Sequence, residues 1–217
     1  MLKVVVLISG GGSNLKALLD AAAEPTYPAR VVAVGSDTDA AGLDYAREAG
    51  IETFVVRPRD FENRDAWGEA FATQIREHLS KSSVEAPAHL DKLDGRGNEL
   101  AERYLVVSAG LMRVLPAGFV REFSPALINT HPALLPLYPG AHAVRDALAA
   151  GATETGVTVH IIDEGVDTGP VLRQRAVSIL AGESEDDLHE RIKQIERPLL
   201  VDTVRDIATG ALPLTSA

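Results

Sequence analysis

The sequence predicts an α/β fold: a mostly parallel twisted sheet with flanking helices and an antiparallel strand addition in the C-terminal half. Three observations lead there. Short β-branched runs alternate with helix-period segments through the first 110 residues, the rhythm of parallel strands joined by right-handed crossovers. The first strand passes into the first helix through consecutive glycines. Past residue 150, two strand-like runs follow one another with no helix between them, so they are expected to pair antiparallel.

The elements follow in order. "KVVVLI" (3 to 8) reads as a strand buried on both faces. In "SNLKALLDAAA", Leu15, Leu18, Leu19 and Ala22 fall on one helical face. "RVVAVGS" (30 to 36) is a second strand, followed by a helix over roughly 40 to 49. "ETFVV" (52 to 56) is a third, followed by a helix over roughly 62 to 80, and "YLVVSAG" (104 to 110) is a fourth. The intervening stretch, about 81 to 103, has no periodicity and reads as a surface insertion. "PALIN" (125 to 129) leads into a proline-rich loop and a short helix near 141 to 150. "GVTVHIID" (156 to 163) and "VLRQRAVSI" (171 to 179) form the antiparallel pair. The last helix takes Ser184 as N-cap with Asp187 three residues on, and Leu188, Ile192, Ile195 and Leu199 as its apolar stripe. Pro198 predicts a kink in it.

With 217 residues, 46% hydrophobic and 24% charged, the chain can build its core without staples. The absence of cysteine excludes disulfides, thiolate zinc sites and cysteine nucleophiles, and fits a cytoplasmic enzyme. A net charge of −10 without a basic block gives no field to gather a polynucleotide, so no nucleic-acid partner is expected. The apolar run at 4 to 8 is too short for a signal-peptide core and no later run approaches membrane-spanning length, so no membrane partner is expected either. An anionic ligand would have to be held by local groups, such as helix N-termini and a few placed cations.

Two stretches carry chemistry. In "VVLISGGGSN", free amides at the start of a helix can hold a phosphate, although a tight turn alone would also explain the glycines. No Walker lysine follows, and the dinucleotide fingerprint fits poorly because Leu15 takes the place of its third glycine; Asp37 could still serve as a ribose acid. In "INTHPALLPLYPGAHAV", Asn129 and His131 stand two residues apart at the end of a strand, so both side chains can reach one substrate atom. The loop "IDEGVDTGP" places Asp163, Glu164 and Asp167 before Gly169 and Pro170, where a turn can present a carboxylate to the imidazole and favour its charged form. An amide, an imidazole and a carboxylate without cysteine point to polar transition-state stabilisation rather than to an acyl-enzyme. A loop histidine bonded to a carbonyl is the plainer alternative for His131. Zinc on His131, His142, His160 and nearby acids is another, weakened by the lack of an i, i+4 histidine pair and of HExxH.

Taken together, "VVLISGGGSNLKALLDA", "GLDYAREAGI", "SAGLMRVLP", "INTHPALLPLYPGAHAVRDAL", "TGVTVHIIDEGVDTGPVLRQ" and "GESEDDLHERI" make the chain resemble, over nearly its whole length, the folate-dependent phosphoribosylglycinamide formyltransferases. The resemblance implies a Rossmann-like formyltransferase fold, and transfer of the formyl group of 10-formyltetrahydrofolate, as co-substrate, to the amine of glycinamide ribonucleotide, with no metal. It places the family's catalytic residues on Asn129, His131 and Asp167. The phosphate loop falls on Gly12, Ser13 and Asn14, and the phosphate and ribose contacts fall on Lys193 and Glu196, which lie i, i+3 on what reads as the polar face of the last helix. The folate segments fall on Arg113, Val114 and Leu115 and on Asp163, Glu164, Gly165, Val166 and Asp167, with Arg64 at the glutamate tail.

On this reading residues 1 to 217 form a single domain, with a nucleotide and phosphate half (1 to 110) and a catalytic and folate half (111 to 217), acting as a monomer or homodimer. A formyl-folate deformylase or a non-catalytic nucleotide-binding Rossmann module are the alternatives. The insertion departs from the family pattern. Replacing roughly residues 83 to 100 by a short Gly/Ser linker should leave the transfer rate largely intact, because closure cost grows only with the logarithm of loop length and no candidate residue lies there. A folded but inactive deletion variant would show that the segment shapes the site.

Overall fold

A computed structural model describes residues 1–81 and 104–215. The expected insertion lies, Lys81 excepted, outside the described residues. The elements are β1 (Leu2–Ile8), α1 (Ser13–Ala22), β2 (Ala29–Ser36), α2 (Leu43–Glu48), β3 (Glu52–Val55), a 3-10 turn (Pro58–Asp60) and α3 (Arg64–Lys81). They continue with β4 (Tyr104–Ser108), α4 (Ala117–Phe123), β5 (Leu127–His131), α5 (Ala143–Ala149), β6 (Glu154–Ile161), β7 (Val171–Ser178) and α6 (Glu185–Thr209). All seven strands join one sheet in the order β3-β2-β1-β4-β5-β6-β7. The pairings from β3 through to β5 are parallel; β6 is antiparallel to both β5 and β7.

Period-2 alternation divides the core between the two faces of this sheet. Val4, Val6 and Ile8 of β1, with Leu105 and Val107 of β4 and Ile128 of β5, pack with α1 and α6 through Leu15, Leu18, Leu188, Ile192 and Leu200. Val5, Leu7, Val106 and Leu127 face the other way, onto Trp67, Phe71 and Ile75 of α3 and Phe119, Val120 and Phe123 of α4. The Trp67 indole N–H donates to the Val56 carbonyl (2.8 Å), so even the largest buried ring has its polar atom satisfied.

Several elements differ from expectation. α4 is not legible in advance, because seven residues span barely two turns; its only signal is Pro116 at the N-cap and Phe119, Val120 and Phe123 on one side. α2 is shorter than predicted, and β5 extends to His131, so Asn129 and His131 both lie inside the strand. In α6 the Ser184 hydroxyl caps the Asp187 amide as expected, and the helix continues unbroken past Pro198. Its buried stripe is not the predicted one. Ile195 is 38% exposed and Glu196 only 6%, because Leu188, Ile192, Glu196 and Leu199 recur every four, four and three residues and so hold the centre of the buried face.

The strand order reverses between β1 and β4, which opens a crevice beyond the carboxyl ends of these strands, the usual ligand position in open α/β sheets. The β1–α1 junction at that crevice is tight. Gly12 adopts a left-handed conformation (φ 70°), and the Gly42 amide donates to the Gly10 carbonyl (3.0 Å). A Cβ on Gly42 would lie 2.8 Å from Gly12 Cα and 2.9 Å from its nitrogen, so Gly42→Ala must push backbone against backbone. Since Gly42 itself has φ −62°, suitable for alanine, the strain is steric and the variant should lose on the order of 1–3 kcal/mol in urea denaturation. A loss within experimental error would mean that the junction yields freely.

Candidate active site

Strand alternation places Asn129 and His131 on the α3/α4 side of β5, and antiparallel pairing sets His160 of β6 opposite Asn129 and Thr158 opposite His131. The loop after β6 returns Asp167 to this patch. Its Oδ2 lies 3.4 Å from His131 Nδ1 and its Oδ1 lies 3.5 Å from His160 Nε2. Oδ2 also accepts from the Gly140 amide at 2.7 Å. Asp167 holds a left-handed backbone (φ 54°), uncommon outside glycine, which fixes the direction of its carboxylate.

The ring nitrogens are set by their partners. His131 Nε2 lies 2.8 Å from the Tyr138 carbonyl, which can only accept, so that nitrogen carries a proton and Nδ1 faces Asp167. His160 Nδ1 donates to the Ile161 carbonyl (2.9 Å); in the neutral ring Nε2 then accepts from Asn129 Nδ2 at 3.2 Å. In that neutral state one amide hydrogen of Asn129 is committed to His160 and the other remains for the cavity that Asn129 lines. Burial pushes the Asp167 carboxyl upward. Against it act the His160 imidazole, whose Nε2–H can donate to the carboxylate when that ring is charged, the Gly140 amide and the facing His131, and together they bring the pKa down to about 2. Asp167 is therefore an anion at any physiological pH.

These groups line one side of a cavity of about 300 Å³. Of the expected folate segments, Arg113, Val114, Leu115, Asp163, Gly165, Val166 and Asp167 line it; Glu164 does not, and pairs with Arg121 at 2.8 Å. Met112, Val114 and Val166, all largely exposed, form an apolar rim. Arg64 opens α3 as an exposed residue outside this lining. Gly12, Ser13 and Asn14 begin α1, also outside it. Among the described residues the amides of residues 11 to 14 donate to no acceptor, and the buried Asn14 Oδ1 has no partner. Lys193 and Glu196 part company: Lys193 pairs with Glu190 at 2.7 Å near the surface, whereas Glu196 is buried and accepts from the Thr130 hydroxyl at 2.6 Å. The polar-face reading thus fails for Glu196, because the sheet beneath it offers a polar side chain of its own.

Asp37 is not free to act as a ribose acid. It is buried and accepts from Ser9 Oγ (2.6 Å) and Arg113 Nε (2.7 Å), while Ser9 Oγ accepts from the Met112 amide (2.8 Å). This bridge ties the ends of β1 and β2 to the loop that lines the cavity. From the sequence, His160 reads only as a possible metal ligand. Its signal was present, since Thr158 and His160 interrupt an apolar strand at i, i+2 just as Asn129 and His131 do. Among the described residues no three His, Asp or Glu side chains are placed to hold a metal ion.

The formyl transferase family model matches residues 2–204. Phosphoribosylglycinamide formyltransferase of Mycobacterium tuberculosis is 46% identical over 207 residues, covering 95% of this chain and 85% of its own. The Escherichia coli enzyme of the same name is 37% identical over 214 residues, 98% of this chain and 90% of that one. The crystal structure of glycinamide ribonucleotide transformylase 1 from Symbiobacterium toebii matches with a TM-score of 0.84 and 35% identity, covering 99% of this chain and 91% of that chain.

The lowered Asp167 pKa has a stability consequence. A carboxylate held at about 2 when folded, against about 4 when unfolded, stabilises the fold above the unfolded value and loses that contribution as pH falls through the folded one. Asparagine tolerates the left-handed backbone as aspartate does, so Asp167→Asn isolates the charge. The variant should be less stable than wild type at pH 7, by a gap that closes between about pH 4 and pH 2 in urea titrations. A gap independent of pH would mean that the charge is not what holds the turn.

Proposed function

We infer the function from one premise, that the chain belongs to the formyl transferase family: it transfers the formyl group of 10-formyltetrahydrofolate to the amine of glycinamide ribonucleotide, a step of purine biosynthesis. The observation that carries the reading at the level of residues is the convergence of Asn129, His131 and an ionised Asp167 on one cavity with an apolar rim. A flat heteroaromatic ring fits such a rim, and polar groups on one wall fit a reacting carbonyl.

In the proposed mechanism the amine adds to the formyl carbon as it loses a proton, negative charge gathers on the formyl oxygen, and the folate nitrogen leaves as it gains a proton. Asn129 gives its uncommitted amide hydrogen to that oxygen. His131 redirects the hydrogen bond of its Nε2–H from the Tyr138 carbonyl to the same oxygen, while the Asp167 carboxylate faces Nδ1 and keeps the ring oriented. A carboxylate with a pKa of about 2 holds a proton too weakly to store one between the amine and the leaving nitrogen. Asp167 therefore orients the imidazole and a water that passes the proton on.

The remaining assignments belong to the same proposal. Arg113, Val114, Leu115 and residues 163 to 167 hold the folate, with Arg64 at its glutamate tail. The amides of Gly12, Ser13 and Asn14 receive the phosphate, supported by their lack of acceptors among the described residues and by the unpartnered Asn14 Oδ1. Lys193 adds a cation and Glu196 meets the ribose. The half before residue 111 thus serves the nucleotide and the half after it serves folate and chemistry, within one domain that works as a monomer or homodimer in the cytoplasm.

A spectroscopic assay with 10-formyltetrahydrofolate and glycinamide ribonucleotide tests the reading. Asp167→Asn should lower kcat by roughly a hundredfold or more with smaller changes in KM, because it removes the charge that supports an oxyanion donor. Lys193→Ala should raise KM for glycinamide ribonucleotide well above its effect on the folate. No transfer by the wild-type enzyme sinks the function; a near-normal kcat in folded Asp167→Asn removes the proton-transfer arm.

A further inference from the structure

We propose that Thr130 is a positioning residue for the nucleotide substrate: it holds the buried Glu196 carboxylate so that its second oxygen can accept hydrogen bonds from a ligand's vicinal hydroxyls. The proposal rests on the ribose assignment of Glu196 and adds to it the group that aims the carboxylate.

Thr130 lies between Asn129 and His131, so alternation turns it to the opposite face of β5, the one covered by α6. There its hydroxyl donates to Glu196 Oε1 at 2.6 Å, in a buried bond spanning 66 residues of sequence. Glu196 is 6% exposed, between Ile192 and Leu199 on the buried face of α6. A carboxylate in such a place needs several donors or a cation to offset its lost hydration. Among the described residues it has no cation within salt-bridge distance and Thr130 is its one donor. Oε2 accepts from nothing described, yet it is not among the polar atoms sealed from solvent without a partner. A carboxylate held by one oxygen, with the other reachable, is poised for a hydroxylic ligand; two adjacent hydroxyls match its lone pairs.

The residue pairing also joins two subsites. One face of three consecutive strand residues addresses the reacting carbonyl and the other face fixes the carboxylate that receives the nucleotide, so their separation is set by the width of a single strand. Valine suits a strand and matches threonine in shape, so Thr130→Val removes the donor with little change in packing. Serine retains it.

Steady-state kinetics on folded enzyme distinguish the cases. Thr130→Val should raise KM for glycinamide ribonucleotide on the order of tenfold, leave KM for 10-formyltetrahydrofolate within about twofold, and change kcat less than KM. Thr130→Ser should restore the nucleotide KM to within about twofold of wild type. Glu196→Gln should raise the nucleotide KM, and adding Thr130→Val to it should bring little further change, since both act through one carboxylate. A raised KM in Glu196→Gln with an unchanged KM in Thr130→Val overturns the positioning role and leaves the ribose assignment intact. An unchanged nucleotide KM in Glu196→Gln overturns the ribose assignment itself. Equal effects of Thr130→Val on both substrates, or no rescue by serine, mark Thr130 as structural; should the valine variant not fold, Thr130→Ala carries the same comparison.

Discussion

The register between β5 and β6 is the constraint on which the site depends. Four cross-strand pairs, from Ile128 with Ile161 to His131 with Thr158, set which side chains meet. A slip of one residue would send the side chains of Asn129 and His131 into the apolar layer under α6 and turn that of Thr130 to the α3/α4 side. The apolar neighbours prevent this. Ile128, Val157, Val159 and Ile161 all face the α1/α6 layer, so the burial that stabilises the sheet also enforces the one alignment in which the polar residues fall together. Chemistry and packing are specified here by the same alternation.

What alternation cannot do is bring in the carboxylate, which arrives on a loop. That loop is held by its own close contacts. Asp163 accepts from the Gly165 amide and the Thr168 hydroxyl, and a Cβ at Gly169 would meet the Ile161 carbonyl oxygen at 1.9 Å. With these contacts in place, Asp167 is carried into a left-handed conformation and its carboxylate is clasped by the Gly140 amide and faced by two imidazoles. The strain of the backbone and the cost of burying the charge are offset by those partners, consistent with a pKa that falls rather than rises.

Much of this was legible in the sequence. The strands announced themselves as β-branched runs, and the Asn129–His131 spacing pointed to a site because two polar residues at i, i+2 in a strand share a face. His160 obeys the same rule, but nothing local shows that it stands opposite Asn129. α4 is too short to display a period. Glu196 reads as a surface residue because charge on a helix ordinarily marks the solvent side; only the partner strand, with Thr130 at the facing position, explains a carboxylate in the buried stripe. Asp37 looked like a ligand acid until three-dimensional neighbours, Ser9 and Arg113, claimed it. For His160, Glu196 and Asp37 the missing information is the identity of a residue distant in sequence.

The Ser9–Asp37–Arg113 bridge makes the two ends of β4 unlike. At the carboxyl end of β4 the chain is fastened within a few residues of leaving the sheet, by the Ser9 amide on the Gly110 carbonyl, the Met112 amide on Ser9 Oγ, and Arg113 on Asp37. At the amino end of the same strand, Tyr104 follows the long segment that begins after Lys81. The segment enters a strand whose far end is moored by these three contacts. The carboxyl end of the sheet, where the cavity lies, is thus the end that this bridge fastens.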